Sequence, residues 1–218
     1  MNRKLPIIER LLIFMSLFCF GVLFYRCLFT LSLHYTFLLW NLLLAFVPYI
    51  LSKELLKCRE LNVKSVLLLF AWLMFFPACV YLFTDMLKMH ETADFAFVYN
   101  IALFACFAFT GLLPGLASLK KTEAFLMRHI SPAFAKISIL LFIFFSSYGI
   151  CLARFLHLKS WNVITDFKEM LHASELNIAA PIDHLHIWLS IVIVVLLIDM
   201  AYAGYKKLYY VKSDQFSS

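Results

Sequence analysis

The polar residues that could do chemistry in this sequence are few, and they stand within or beside long apolar segments. Arg26, Asp85, Asn100 and Arg154 each fall near the end of such a segment. Charged groups are costly in apolar surroundings, so those that occur there usually face the protein interior or a cavity. Two arginines beside a carboxylate could hold a phosphate or carboxylate group. They could equally form Arg–carboxylate ion pairs that tie helices together.

The composition defines the kind of protein that carries these residues. Of its 218 residues, 64% are hydrophobic and 15% are charged, whereas soluble domains have about 45–50% and about 25%. A soluble fold of this length could not remove so much apolar surface from water. The composition therefore excludes a soluble globular domain, a disordered chain and a small disulfide scaffold. It predicts an integral membrane protein.

Six apolar segments approach or exceed the roughly 20 residues that a bilayer crossing needs. We predict an all-α fold, a polytopic membrane bundle of six transmembrane helices forming a single integral membrane domain over residues 1–218. The predicted spans are residues 11–31, 35–51, 65–84, 95–118, 133–152 and 185–205. Pro77 and Pro114 fall inside the third and fourth spans, where each removes a backbone hydrogen bond and predicts a kink.

The distribution of the 19 Lys and Arg residues predicts the orientation. Fourteen of them fall in the N-terminus, the second and fourth connections and the C-terminal tail, and five fall on the opposite side. Because positive residues concentrate in cytoplasmic segments, we expect both termini in the cytoplasm. The net charge of +6 then indicates contact with anionic lipids rather than with nucleic acid.

This orientation gathers the scarce polar residues on the outer side. The candidate binding residues are Arg26, Asp85, Lys88, Asn100, Arg154, Ser160, Trp161 and Asn162. Ser160 is positioned to cap a short amphipathic helix that begins at Trp161, and we expect this helix to lie in the membrane interface. Cys27 and Cys151 also fall on this side, and the sequence leaves open whether they pair.

No established catalytic or cofactor motif occurs in the chain. It contains no GxSxG, HExxH, Walker or GxGxxG sequence. His184 and His186 are two residues apart and therefore point to different sides of a helix, unlike the paired histidines of a metalloprotease. We accordingly expect no metal and no cofactor, and the sequence identifies no catalytic residue.

Four segments in order resemble one family. Residues 41–48 resemble a WNLFLAxxP signature, residues 72–85 a WLLFFPNAPYxxTD signature, residues 111–119 a GxxxGxxSL signature and residues 154–162 an RFLRxNSWD signature. Together they resemble the bacterial multi-pass membrane proteins grouped as domain of unknown function 1361, over residues 26–162. This resemblance implies a multi-pass inner-membrane protein with no assigned activity.

The chain departs from the family pattern at three polar positions. Lys88 stands where the family tends to have His, and Asn100 and Asn162 stand where it tends to have Asp. Asn and protonated Lys are poor replacements for anionic or imidazole ligands. These departures argue against a carboxylate-rich metal site and leave Asp85 as the one family carboxylate of this set.

Three functional hypotheses follow from these residues. The first is a polar pocket at the outer face that binds or moves an anionic lipid or small metabolite, with membrane lipids as the expected partners and no nucleic acid. The second is a membrane enzyme in which Asp85 acts as acid or base and His184 or His186 assists. The third is a membrane scaffold without a site, whose protein partners the sequence does not identify.

Overall fold

A computed structural model describes residues 7–30, 35–85, 95–155 and 185–214. Within these ranges it gives no side-chain burial for residues 7, 29–30, 84–85, 95–96, 152–155 and 210–214. The described residues form seven α-helices and no strand. In chain order the helices are α1 (Ile7–Thr30), α2 (Phe37–Lys57), α3 (Val63–Phe75), α4 (Ala78–Asp85), α5 (Phe95–His129), α6 (Pro132–Phe155) and α7 (Leu185–Asp214).

Six stretches of helix in the described residues are long and apolar enough to cross a membrane. They are Ile8–Leu28, Phe37–Lys57, Val63–Phe83, Phe97–His129, Pro132–Cys151 and Leu185–Tyr209. The predicted all-α fold with six membrane-spanning helices is thus confirmed. Phe14, Leu17 and many other large apolar side chains remain exposed on these helices, as is expected where lipid rather than water surrounds them.

The two prolines within predicted spans have different outcomes. The third span is interrupted at Phe76–Pro77, so that it consists of α3 followed by α4. The Tyr81 backbone N–H donates to the Pro77 carbonyl at 3.0 Å, which restarts the helix directly after the break. By contrast α5 continues through Pro114.

The chain divides into two compact units, Met1–Phe125 and Leu126–Ser218. In the first unit, α2 packs against both α3 and α4. A buried apolar cluster draws Leu23 from α1, Leu38 from α2, Leu82 from α4 and Leu103 from α5. This cluster matters for function because it sets the level of the polar residues one helical turn beyond it.

The second unit pairs α6 with α7 around Cys151, Ile187 and Ile191. Tyr148 and Trp188 pack on this core with ring centroids 6.0 Å apart. The Tyr148 hydroxyl and the Trp188 indole N–H are both buried, and neither has a hydrogen-bond partner among the described residues. A buried donor without a hydrogen-bond partner destabilises the folded state, and the unfolded state does not carry this cost.

Tyr148→Phe is therefore expected to raise the free energy of unfolding by about 1 kcal/mol, because it removes a buried hydroxyl that no partner compensates. Chemical denaturation of the purified protein measures this change. Tyr99→Phe is a control with the opposite expected effect, because the Tyr99 hydroxyl has a partner and donates to the Val22 carbonyl at 2.7 Å. It should lower the same free energy by about 1 kcal/mol. A loss of stability in Tyr148→Phe would contradict the prediction.

Candidate functional site

Arg26 of α1 contacts two neighbouring segments of the first unit, namely α5 and the residues just before α2. Its Nε donates to the Asn100 Oδ1 at 2.7 Å, and its guanidinium carbon lies 4.0 Å from the centre of the Tyr35 ring. All three residues are half-buried. The hydrogen bond fixes one edge of the guanidinium and the ring covers one face, so the cation has a defined orientation before any ligand arrives.

The helices explain why these residues meet. Leu23, Leu38, Leu82 and Leu103 share one buried cluster. Three positions along the chain from each leucine, in the direction away from the cluster, stands a residue that lies about one helical turn beyond the cluster. On the α2 side this residue stands just before the helix begins. Those residues are Arg26, Tyr35, Asp85 and Asn100. We call these four positions the arginine layer.

Asp85 is assigned to the arginine layer from the position of its backbone alone. It is the last residue of α4 and follows buried Leu82 by three residues, nearly one helical turn. Contacts of Arg26 with Tyr35 and with Asn100 show that the other three positions of the layer converge. The side chain of Asp85 lies outside the described residues, so its predicted role as partner or ligand stays a prediction.

Tyr99 secures α5 against α1 beside this layer. Its hydroxyl donates to the Val22 carbonyl at 2.7 Å, and its ring lies 6.3 Å from that of Tyr25. Sequence reasoning missed both Tyr35 and Tyr99. The available signal was their spacing, because Tyr99 directly precedes the predicted polar residue Asn100 and Tyr35 stands three residues before the apolar Leu38.

The structure brings together Arg26 and Asn100 of the predicted binding residues. Arg154 lies in α6, in the second compact unit, and its side chain is outside the described residues. Lys88, Ser160, Trp161 and Asn162 lie outside the described residues, as do His184 and the predicted interfacial helix. Among the candidates for the enzyme hypothesis, His186 is described and exposed in α7. That hypothesis remains a prediction.

A second polar set, which sequence reasoning missed, lies at the opposite end of α1 and α2. Lys53 Nζ donates to Glu9 Oε1 at 2.6 Å, and the Tyr49 hydroxyl lies 3.4 Å from the same oxygen. Lys121 Nζ lies 3.4 Å from the centre of the Tyr49 ring. The sequence signal was Glu9, an acidic residue within the basic N-terminal segment that was counted only for its lysines and arginines.

The described residues contain no group of three or more His, Cys, Asp or Glu side chains that could hold a metal ion. All six cysteines fall within the described ranges and are free thiols, Cys27 and Cys151 included. The contacts of Arg26 give the arginine layer an oriented cation that could recognise an anion. Arginine offers five N–H donors in a planar fork that matches the oxygens of phosphate or carboxylate.

Comparison with known protein families gives a match over most of the chain. A family described as "Protein of unknown function (DUF1361)" matches residues 40–201, about three quarters of the chain. The match includes Asp85, Asn100 and Arg154, and it begins beyond Arg26 and Tyr35. It starts later than the resemblance predicted over residues 26–162 and extends further, into α7. No curated protein and no solved structure matches the chain.

Proposed function

The chain belongs to the DUF1361 family of multi-pass membrane proteins, and from that premise we propose that it binds the phosphate of an anionic lipid head group or small metabolite at the arginine layer. The observation that carries the proposal is the oriented guanidinium of Arg26, bonded through Nε to Asn100 and covered by the Tyr35 ring. A cation fixed in this way loses less side-chain entropy when it binds an anion.

The position of Arg26 supports a ligand that comes from the membrane surface. Arg26 stands four residues before the end of α1, and Leu28, two residues further along the helix, is an exposed apolar residue. This supports a position of the guanidinium near the level at which an apolar surface gives way to head groups. In the proposed orientation, with both termini in the cytoplasm of a bacterial cell, this is the outer side of the inner membrane.

Ligand binding and the tying together of helices make different demands on the side chain of Arg26. In the binding role, the guanidinium must keep its planar fork, because a phosphate accepts two parallel hydrogen bonds from it. In the tying role, the contact with Asn100 and a contact with Asp85 stabilise the first unit, and no lipid is required. Substitutions at these positions therefore have different effects on lipid retention and on stability.

Arg26→Gln is expected to lower retention of phosphatidylglycerol about tenfold, since a charge-assisted hydrogen bond is worth at least one decade in affinity. Retention is measured by mass spectrometry of lipids that co-purify with the protein from defined vesicles. Arg26→Lys should restore little of it, because an ammonium group lacks the fork. Arg59→Gln, at an exposed arginine between α2 and α3, is the control and should retain lipid like the native chain.

Two further variants extend the experiment to the predicted residues outside this contact. Asp85→Asn and Arg154→Ala are compared with Arg26→Gln for lipid retention and for thermal stability. Lower retention in Arg154→Ala would add that residue to the site. Unchanged lipid profiles with normal folding in Arg26→Gln, Asp85→Asn and Arg154→Ala would overturn the proposed function. Lower stability in Arg26→Gln and Asp85→Asn with unchanged retention would assign these residues to helix tying.

A further inference from the structure

A groove runs between α1 and α2 at the end of the first unit opposite the arginine layer. Its volume is about 370 Å³. Leu12, Ile13, Phe46 and Ile50 form its apolar part. Ile13 and Ile50 are 49% and 56% exposed. In a helix pair that crosses a membrane, this part of the groove is open to lipid chains. We call it the α1–α2 groove.

The polar end of the α1–α2 groove carries two cations and two anions. Lys53 pairs with Glu9 across the two helices at 2.6 Å, and Lys57 pairs with Glu54 along α2 at 2.6 Å. All four side chains line the groove. Those of Lys53, Glu54 and Lys57 are 45%, 47% and 69% exposed, whereas that of Glu9 is 16% exposed. The four charged side chains that line the polar end therefore balance one another, and Glu54 and Lys57 are open to a ligand. Lys121, over the Tyr49 ring, does not line the groove.

We propose that the α1–α2 groove binds a phosphatidylethanolamine molecule, with one acyl chain along its apolar part and the zwitterionic head group at its charged end. The phosphate accepts hydrogen bonds from Lys57 and Lys53, and the primary ammonium donates to Glu54. Along α2 the apolar Ile50 is followed by Lys53, Glu54 and Lys57, so the groove offers an apolar wall to the acyl chain, two lysines to the phosphate and a carboxylate between them to the amine.

The charges select this head group over two others. Phosphatidylglycerol brings a phosphate without a cation, so it would leave the glutamates repelling a nearby negative charge. Phosphatidylcholine has the same charges as phosphatidylethanolamine, but its quaternary ammonium has no N–H and cannot donate to a carboxylate. The carboxylate of Glu54 therefore distinguishes the two zwitterionic lipids. This site is separate from the arginine layer and does not depend on the function proposed there.

The test is native mass spectrometry of the full chain in detergent with an equimolar mixture of chain-matched phosphatidylethanolamine, phosphatidylcholine and phosphatidylglycerol. The native chain should retain phosphatidylethanolamine several-fold over phosphatidylcholine, whereas phosphatidylglycerol reports binding at the arginine layer. Glu54→Gln should lower the ratio of phosphatidylethanolamine to phosphatidylcholine about threefold, because the carboxylate that accepts from the ammonium is lost. Lys57→Gln should lower retention of both zwitterionic lipids, because it removes a phosphate donor.

Glu60→Gln and Lys64→Gln are matched controls at exposed residues that do not line the groove. Both should leave the lipid ratios at the native value. Glu54 and Lys57 are exposed, so their substitution leaves the packing of α2 intact, which thermal unfolding verifies. Equal retention of phosphatidylethanolamine and phosphatidylcholine, or the same ratio of these two lipids in Glu54→Gln and Glu60→Gln, would overturn the proposal.

Discussion

Trp72→Ala should lower the free energy of unfolding by about 3 kcal/mol, the largest loss expected of any single substitution considered for this chain. Trp72 is fully buried, and its ring packs 5.0 Å from that of Phe76. In a membrane the alternative surrounding is lipid rather than water, so the loss comes from van der Waals contacts around a cavity. The indole N–H also donates to the Ser118 hydroxyl at 3.1 Å, and the substitution removes this bond between α3 and α5.

Trp40→Ala is the matched control, because Trp40 has the same side chain with 55% of its surface exposed. It should change the free energy of unfolding by less than about 1 kcal/mol. Unfolding in mixed micelles by added denaturing detergent measures both variants. Equal losses in Trp72→Ala and Trp40→Ala would contradict the assignment of Trp72 to the core of the first unit.

Trp72→Phe separates the contribution of the hydrogen bond to Ser118 from the contribution of packing. It keeps much of the ring volume and removes the indole N–H, so it should lower the free energy of unfolding by about 1 kcal/mol. The Ser118 hydroxyl then retains its own bond to the Gly115 carbonyl at 2.7 Å. A loss as large as that of Trp72→Ala would mean that the hydrogen bond, and not the packing, provides most of the stabilisation.

Hydropathy predicts the helices of this chain well and their ends less well. Apolar composition over about 20 residues depends only on the local sequence, and all six predicted spans have a counterpart among the spanning helices. The fourth was predicted to end at residue 118, where the apolar segment gives way to Lys120 and Lys121. Helix α5 continues to His129 because Lys, Glu, Ala, Leu and Met favour helix whether or not they are apolar.

The candidate site was predictable as a set of residues and not as a set of contacts. Arg26 and Asn100 stand out because polar groups are rare near the ends of apolar helices. Their pairing depends on how α1 and α5 are rotated about their axes, and helices that are apolar on all sides carry little periodic signal for that rotation. The same reason explains why Tyr35 and the Glu9–Lys53 ion pair between α1 and α2 were missed.

Gly115→Ala is the second substitution with a large expected effect, about 2 kcal/mol of lost stability. A Cβ atom at position 115 would lie 2.7 Å from the Cβ and 3.0 Å from the Sγ of Cys79. Cys79 is fully buried and is the second residue of the short helix α4. Because its Cβ is attached directly to the backbone, relief of the clash requires α4 and α5 to separate, which loosens the packing below the arginine layer.

Gly111→Ala provides an informative comparison one turn away. Its added Cβ would lie 2.6 Å from the Leu82 Cδ1, the end of a side chain that can change rotamer, so we expect a smaller loss than for Gly115→Ala. Gly21→Ala is the control within α1, where no atom lies within 4 Å of the added Cβ. There the greater helix propensity of alanine should leave stability unchanged or raise it by up to about 1 kcal/mol.

The order of these three variants tests whether close contact between α4 and α5 supports the arginine layer. Unfolding measurements should give the lowest stability for Gly115→Ala, an intermediate value for Gly111→Ala and the highest for Gly21→Ala. Lipid retention measured in parallel should fall in Gly115→Ala if Asp85, at the end of α4, belongs with Arg26 and Asn100. Equal stability of all three variants would contradict the close approach of the two helices, since only Gly111 and Gly115 meet atoms of α4.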